Sequence, residues 1–192
     1  FDRFNCSMYK FFILCASINS SFAFISANYA SPKNIVSSIE KRLVGFVHKT
    51  IETLHYSSYK MGGSRFDTEK GVYVVDCSNY VDQILQAVSP HAYLSLVDSC
   101  GVDTPNTRHY YDFFSDLNNN QPYWGKIGDV EDLRPGDIIV FRYKKHRHGA
   151  TAGHMMMVMD RPIKEANTFS VRVADSAPVG HSQDTRKSHV SG

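Results

Sequence analysis

The chain has 192 residues, of which 42% are hydrophobic and 21% charged, with a formal net charge of +2. That length implies one domain preceded by a removable leader, with enough apolar residues for a sizeable core. The nearly balanced charge leaves no nucleic-acid footprint and no nucleic-acid-binding motif is present, so a nucleic-acid partner is excluded.

In chain order, residues 1–30 read as a secretory signal that starts at Met8. Lys10 supplies a positive charge, Phe11 to Phe24 are mostly apolar, and Ala23, Ala27 and Ala30 offer small-residue cleavage positions. The apolar run is too short and too broken to be a stable membrane span. Cleavage leaves residues 31–192 as the domain, in the periplasm or secreted, with a C-terminus that reads as truncated. Of the four cysteines, Cys77 and Cys100 then remain. The helical position of Cys77 argues against joining them in a disulfide.

Lys33 to about Tyr59 carries the longest helical pattern. Val36, Ile39, Leu43, Phe46, Val47, Ile51 and Leu54 form one apolar stripe. Met61-Gly62-Gly63-Ser64 breaks it. Val72 to Val75 is a short β-rich run. Cys77, Tyr80, Val81, Ile84, Leu85 and Val88 then mark one face of a second helix, with Asp76 as its cap and Ser89-Pro90 as its end. Within residues 91–131 only a short helix around His109 to Phe114 stands out. Asp137–Tyr143, His154–Asp160 and Phe169–Asp175 are three strand candidates suited to antiparallel pairing. Lys144 to Gly149 is a basic loop between the first two. Helices followed by an antiparallel sheet make an α+β fold.

The chemistry centres on Cys77. A helix N-terminus carries partial positive charge, which favours the thiolate, the reactive form. His154, at the head of a strand, is the candidate general base. Val171, Val173 and Asp175 share one strand face, as do His154, Met156 and Val158. A hairpin about Lys164-Glu165 sets residue 158 opposite 171, 156 opposite 173 and 154 opposite 175, so Asp175 is expected to orient the imidazole. His181 is the alternative third member. His146, His148 and His154 could be metal ligands, but His154 would have to leave the cysteine and no carboxylate ligand is evident, so neither metal nor cofactor is expected.

Asp76-Cys77-Ser78, then Arg134-Pro135-Gly136-Asp137 leading into a strand, then Gly153-His154 opening the next, together resemble the NlpC/P60 family of bacterial cysteine peptidases over about residues 56–175. The resemblance implies a papain-like α+β fold and a thiol hydrolase acting on an amide bond in cell-wall peptide (peptidoglycan) as a monomer. It also implies an oxyanion site made by the Cys77 backbone N–H and a side chain just upstream, where Tyr56, Tyr59 and Ser64 are available. Arg108 and Trp124, in the long segment after the Cys77 helix, are candidates to line the cleft. Two other readings stay open: a secreted binding module of the same fold without turnover, and an acyltransferase using the same Cys–His pair.

Overall fold

The first helix, α1 (Pro32–Glu52), buries Leu43 and Val47, with Ile39 and Phe46 packed beside them. It stops at Glu52 rather than near Tyr59. The backbone N–H groups of His55 and Tyr56 instead donate to the Gly71 carbonyl at 2.8 and 2.9 Å. Gly71 has φ +62, and a Cβ there would lie 1.7 Å from the Thr53 carbonyl oxygen, so the crossing requires glycine. Ile51 and Leu54 are consequently exposed rather than part of the stripe. This computed structural model describes residues 32–118, 121–143, 153–181 and 184. The expected leader, the basic loop with His146 and His148, and the chain end lie outside the described residues.

A three-stranded sheet follows. β1 (Tyr56–Tyr59) pairs in parallel with β3 (Val72–Val75), and β2 (Arg65–Asp67) pairs antiparallel on its other edge. Opposite Val75 stands Tyr59, so β1 and β3 end together just before Asp76. The second helix, α2 (Cys77–Val88), has the expected bounds and buried face. Pro90 ends it and also opens α3 (Pro90–Cys100), a helix that the stop signal concealed. α4 spans Thr107–Asp116, a full turn longer than the expected short helix.

The second sheet is antiparallel, in the order β4 (Ile138–Arg142), β5 (Gly153–Val158), β8 (Val173–Ala174). Every residue of β5 is buried. Met155, Met157 and Met159 join the main core with α2, while Met156 and Val158 pack with Leu133 and Ile139 in a second cluster. The expected third strand, Phe169–Asp175, divides in two. β6 (Ile163–Glu165) and β7 (Thr168–Ser170) form their own hairpin around Ala166, which has φ +50, and only Val173 and Ala174 pair with β5. Met157 therefore faces Ala174 and Val158 faces Val173, two residues away from the expected register. The extra hairpin uses up the chain that the simple turn had assigned to the main sheet. The fold is α+β, with one parallel strand pair among the described residues. No helix among the described residues is long and apolar enough to cross a membrane.

α4 is clamped to α2 by a buried bond in which Tyr110 Oη donates to Asp82 Oδ1 at 2.6 Å. Burial pushes the Asp82 carboxyl up to about 7, against the opposing pull of the Tyr110 bond. A carboxyl raised in the folded state stabilises at low pH, and that contribution is lost as pH rises from 3.8 through about 7. Asp82→Asn keeps the acceptor and removes the charge. The variant is expected to melt several degrees above wild type at pH 8, with the gap closing by pH 4, as followed by thermal denaturation across that range.

Candidate active site

Cys77 owes its position to Asp76. The Asp76 carboxylate accepts from Asn79 N–H at 2.8 Å and Ser78 Oγ at 2.8 Å through one oxygen, and from Gly62 N–H at 2.7 Å through the other. The first of these bonds caps α2, and the third folds the Lys60–Ser64 loop over the helix start. Gly63 touches the helix so closely that a Cβ would sit 2.3 Å from Asn79 Oδ1. Cys77 is the first residue of α2 and 3% exposed. Its Sγ lies 3.4 Å from Thr107 Oγ1, at the first position of α4.

His154 is the second residue of β5, 7% exposed. Gly153 before it faces Arg142 across the sheet, where a Cβ would meet the Phe141 carbonyl oxygen at 2.1 Å, so the entry to the strand tolerates no side chain. The imidazole meets the Phe141 ring edge-on at 6.0 Å, hydrogen-bonds Asp175 Oδ2 through Nε2, and feels the charge of Cys77.

Asp175 follows directly on β8. Continuing the observed register would set it beside Met156, one diagonal step from His154, still within reach of a long side chain. The two-residue shift preserves parity, so the carboxylate stays on the histidine's side, and Met156, Val158, Val171 and Val173 pack in one cluster. The next residue, Ser176, is buried and donates through Oγ to the Val75 carbonyl at 2.8 Å. That bond ties the segment carrying Asp175 to the strand that ends two residues before the thiol. His181 does not replace Asp175. Its Nε2 binds the same Asp175 Oδ2 at 2.7 Å from the outer side, half-exposed, with its ring centroid 5.6 Å from that of His154.

The electrostatics follow from this sharing. Burial disfavours both charged forms. For His154, the bonds and charges of Asp175 and Cys77 outweigh it and push the imidazole up to about 9. For Asp175, the bonds with His154 and His181 outweigh burial and hold the carboxyl at about 2. The bond to Asp175 also raises His181. His154, Asp175 and His181 bring one ligand-type atom each within 4.8 Å of the others. Both imidazoles already hydrogen-bond the one carboxylate oxygen, which accounts for the cluster without an ion.

Of the upstream candidates, Tyr59 stands at the right end of β1. Burial raises its phenol well above the ordinary range, and the charges of Cys77 and Asp76 add to that. Tyr56 begins the same strand opposite Val72, three residues or about 10 Å away, and is exposed. Ser64 reaches the Asp76 end from the other edge, with its N–H bonded to the Val74 carbonyl at 2.8 Å. Arg108 is exposed beside Asp112 at 3.5 Å, adjacent to the thiol's neighbour Thr107 but turned to solvent. Trp124 lies elsewhere: its indole N–H donates to the Ala92 carbonyl at 3.1 Å and to Ser95 Oγ at 3.0 Å, and the ring lines an apolar cavity of about 470 Å³ that no catalytic candidate borders. Cys77 and Cys100 are both free thiols.

Thr107 carries no pattern that marks it in the sequence. Its contact with Cys77 spans 30 residues and arises from the packing of α4 on α2. No family model, curated protein or solved structure matches the chain.

The raised imidazole contributes stability that is complete below 6.5 and lost as pH rises through about 9. The depressed carboxyl contributes stability that is complete above 3.8 and lost as pH falls through about 2. The pair is therefore fully stabilising between pH 3.8 and 6.5. Asp175→Asn is expected to move the His154 titration, followed by NMR of the imidazole, down from about 9 toward 6.5. His181→Ala, which spares the direct bond, should move it less. A titration still near 9 in Asp175→Asn would show that another group holds the cation.

Proposed function

We propose that the chain is an exported thiol hydrolase of the papain-like NlpC/P60 type, acting on an amide bond in cell-wall peptide. The observation that carries this reading is the convergence on buried His154 of Cys77, at a helix N-terminus, and of Asp175, whose carboxylate is hydrogen-bonded to the imidazole Nε2. Substrate class and export rest on the motif resemblance and on the leader pattern of residues 1–30.

In this mechanism the Cys77 proton resides on His154, held there as imidazolium by Asp175. The sulfur attacks the amide carbon and the carbonyl π electrons move to oxygen. That oxyanion is bound by the Cys77 backbone N–H, at the start of α2, and by the Tyr59 hydroxyl. The raised Tyr59 phenol stays protonated and able to donate. When the C–N bond breaks, His154 gives its proton to the departing amine. Water then attacks the thioester with His154 as base, releasing the acid and restoring the thiol.

Burial of the thiol, 3% exposed, favours the rival reading of a binding module without turnover. Iodoacetamide separates the two, because an activated thiolate alkylates well below the ordinary cysteine range near about 8.5 whereas a structural thiol stays inert. Cys77→Ser is expected to fold with an unchanged melting temperature and to lose hydrolysis of purified peptidoglycan, read as released amino groups. Full hydrolysis by that variant would rule the mechanism out. Tyr59→Phe should lower turnover by about 10²-fold or more, the usual effect of losing one oxyanion donor, while leaving alkylation of Cys77 intact.

A further inference from the structure

We infer that Thr107 is a further catalytic residue of this site, its hydroxyl donating a hydrogen bond to the Cys77 thiolate. The inference rests on the thiol-hydrolase reading and adds to it a group outside the Cys–His–Asp line.

The geometry comes first. Thr107 Oγ1 is 3.4 Å from Sγ, within range for a hydrogen bond to sulfur. A thiolate carries no proton, so in the reactive form the hydroxyl must be the donor. The sulfur then has the Thr107 hydroxyl as a donor in addition to the charge of the His154 imidazolium.

Two independent ties hold that hydroxyl in place. On one side, Asn106 forms a capping box with α4. Its Oδ1 accepts from Arg108 N–H at 3.0 Å and His109 N–H at 3.3 Å, while its own N–H donates to His109 Nδ1 at 3.1 Å. On the other, the Tyr110–Asp82 bond clamps the first turn of α4 to the helix that carries the thiol. Pro105, just before the cap, is also buried. Thr107 is thus fixed relative to Cys77 on both flanks. The chain around it invests a capping box and a buried carboxylate at a position that needs neither for a surface helix.

A donor to the thiolate raises its population at neutral pH and tempers its intrinsic nucleophilicity. As the S–C bond forms, negative charge leaves the sulfur for the carbonyl oxygen. The hydroxyl bond weakens at that moment, and Thr107 is neither consumed nor deprotonated.

The test is the pH profile of Cys77 alkylation by iodoacetamide in the full chain, with Cys100→Ala as the common background so that one thiol is read. Thr107→Val keeps the shape and removes the donor. It is expected to move the half-maximal pH up by about one unit, which is about a tenfold loss of rate at pH values below both midpoints. The limiting rate at high pH should not fall, because a sulfur relieved of a donor is the better nucleophile. Thr107→Ser should restore the wild-type profile, and Thr107→Ala should match Thr107→Val if valine perturbs folding. Thr107→Val with the wild-type profile overturns the inference, and so does Thr107→Ser behaving like Thr107→Val, since packing of the methyl would then be the cause. A wild-type thiol inert below about pH 8.5 overturns the thiol-hydrolase reading itself, and the two failures are distinguished by the wild-type curve alone.

Discussion

A single buried carboxylate, that of Asp76, sets where the site stands. It accepts three donors, two from the helix it caps and one from the loop between β1 and β2. An N-cap of this kind contributes about 1 kcal/mol to a helix. Its larger consequence here is geometric: α2, the end of β3 and the glycine loop become one rigid corner, and Cys77 is the next residue along. The phenol of Tyr59, the thiol and the first N–H groups of α2 all take their places from that corner.

The partners of the thiol come from far away in the chain, and two bonds bring them back. Ser176 reaches the Val75 carbonyl across 101 residues, and Tyr110 reaches Asp82 across 28. Both are buried, where an unmade bond would cost more than a made one gains. The first fixes the carboxylate side of the site against the corner, and the second fixes α4. The imidazole itself is set by sheet packing, because β5 has no exposed residue and cannot slide without exposing its apolar face.

How much of this was legible in the sequence depended on range. α2 could be read residue by residue, since a cap followed by apolar residues at helical spacing is a local signal. His154 and Asp175 were legible as a pair because strand alternation carries over distance, and a register error of two residues preserves the face. The register itself was not legible, since the β6–β7 hairpin depends on Ala166 taking a positive φ that its sequence does not announce. β1 and β2 carry no local signal either: Tyr-Ser-Ser-Tyr and Arg-Phe-Asp have no apolar alternation, and they are strands only because β3 lies between them. Pro90 was a true stop that was also a start. Thr107 was invisible because nothing in a threonine foretells which sulfur it will meet.

Strand β5 carries Met155, Met156 and Met157, with Met159 following, and all four are buried. Thioethers fill such a doubly covered strand well because their flexible chains adapt to both clusters. They also make the centre of the protein the place where an oxidant would do most harm, since a sulfoxide there is polar and cannot be packed. The fold answers this by denying access: a reagent reaches these sulfurs only when the sheet opens. Oxidation of these four methionines would therefore accumulate in proportion to how often the sheet opens, and each event would remove the molecule from the folded population without touching Cys77.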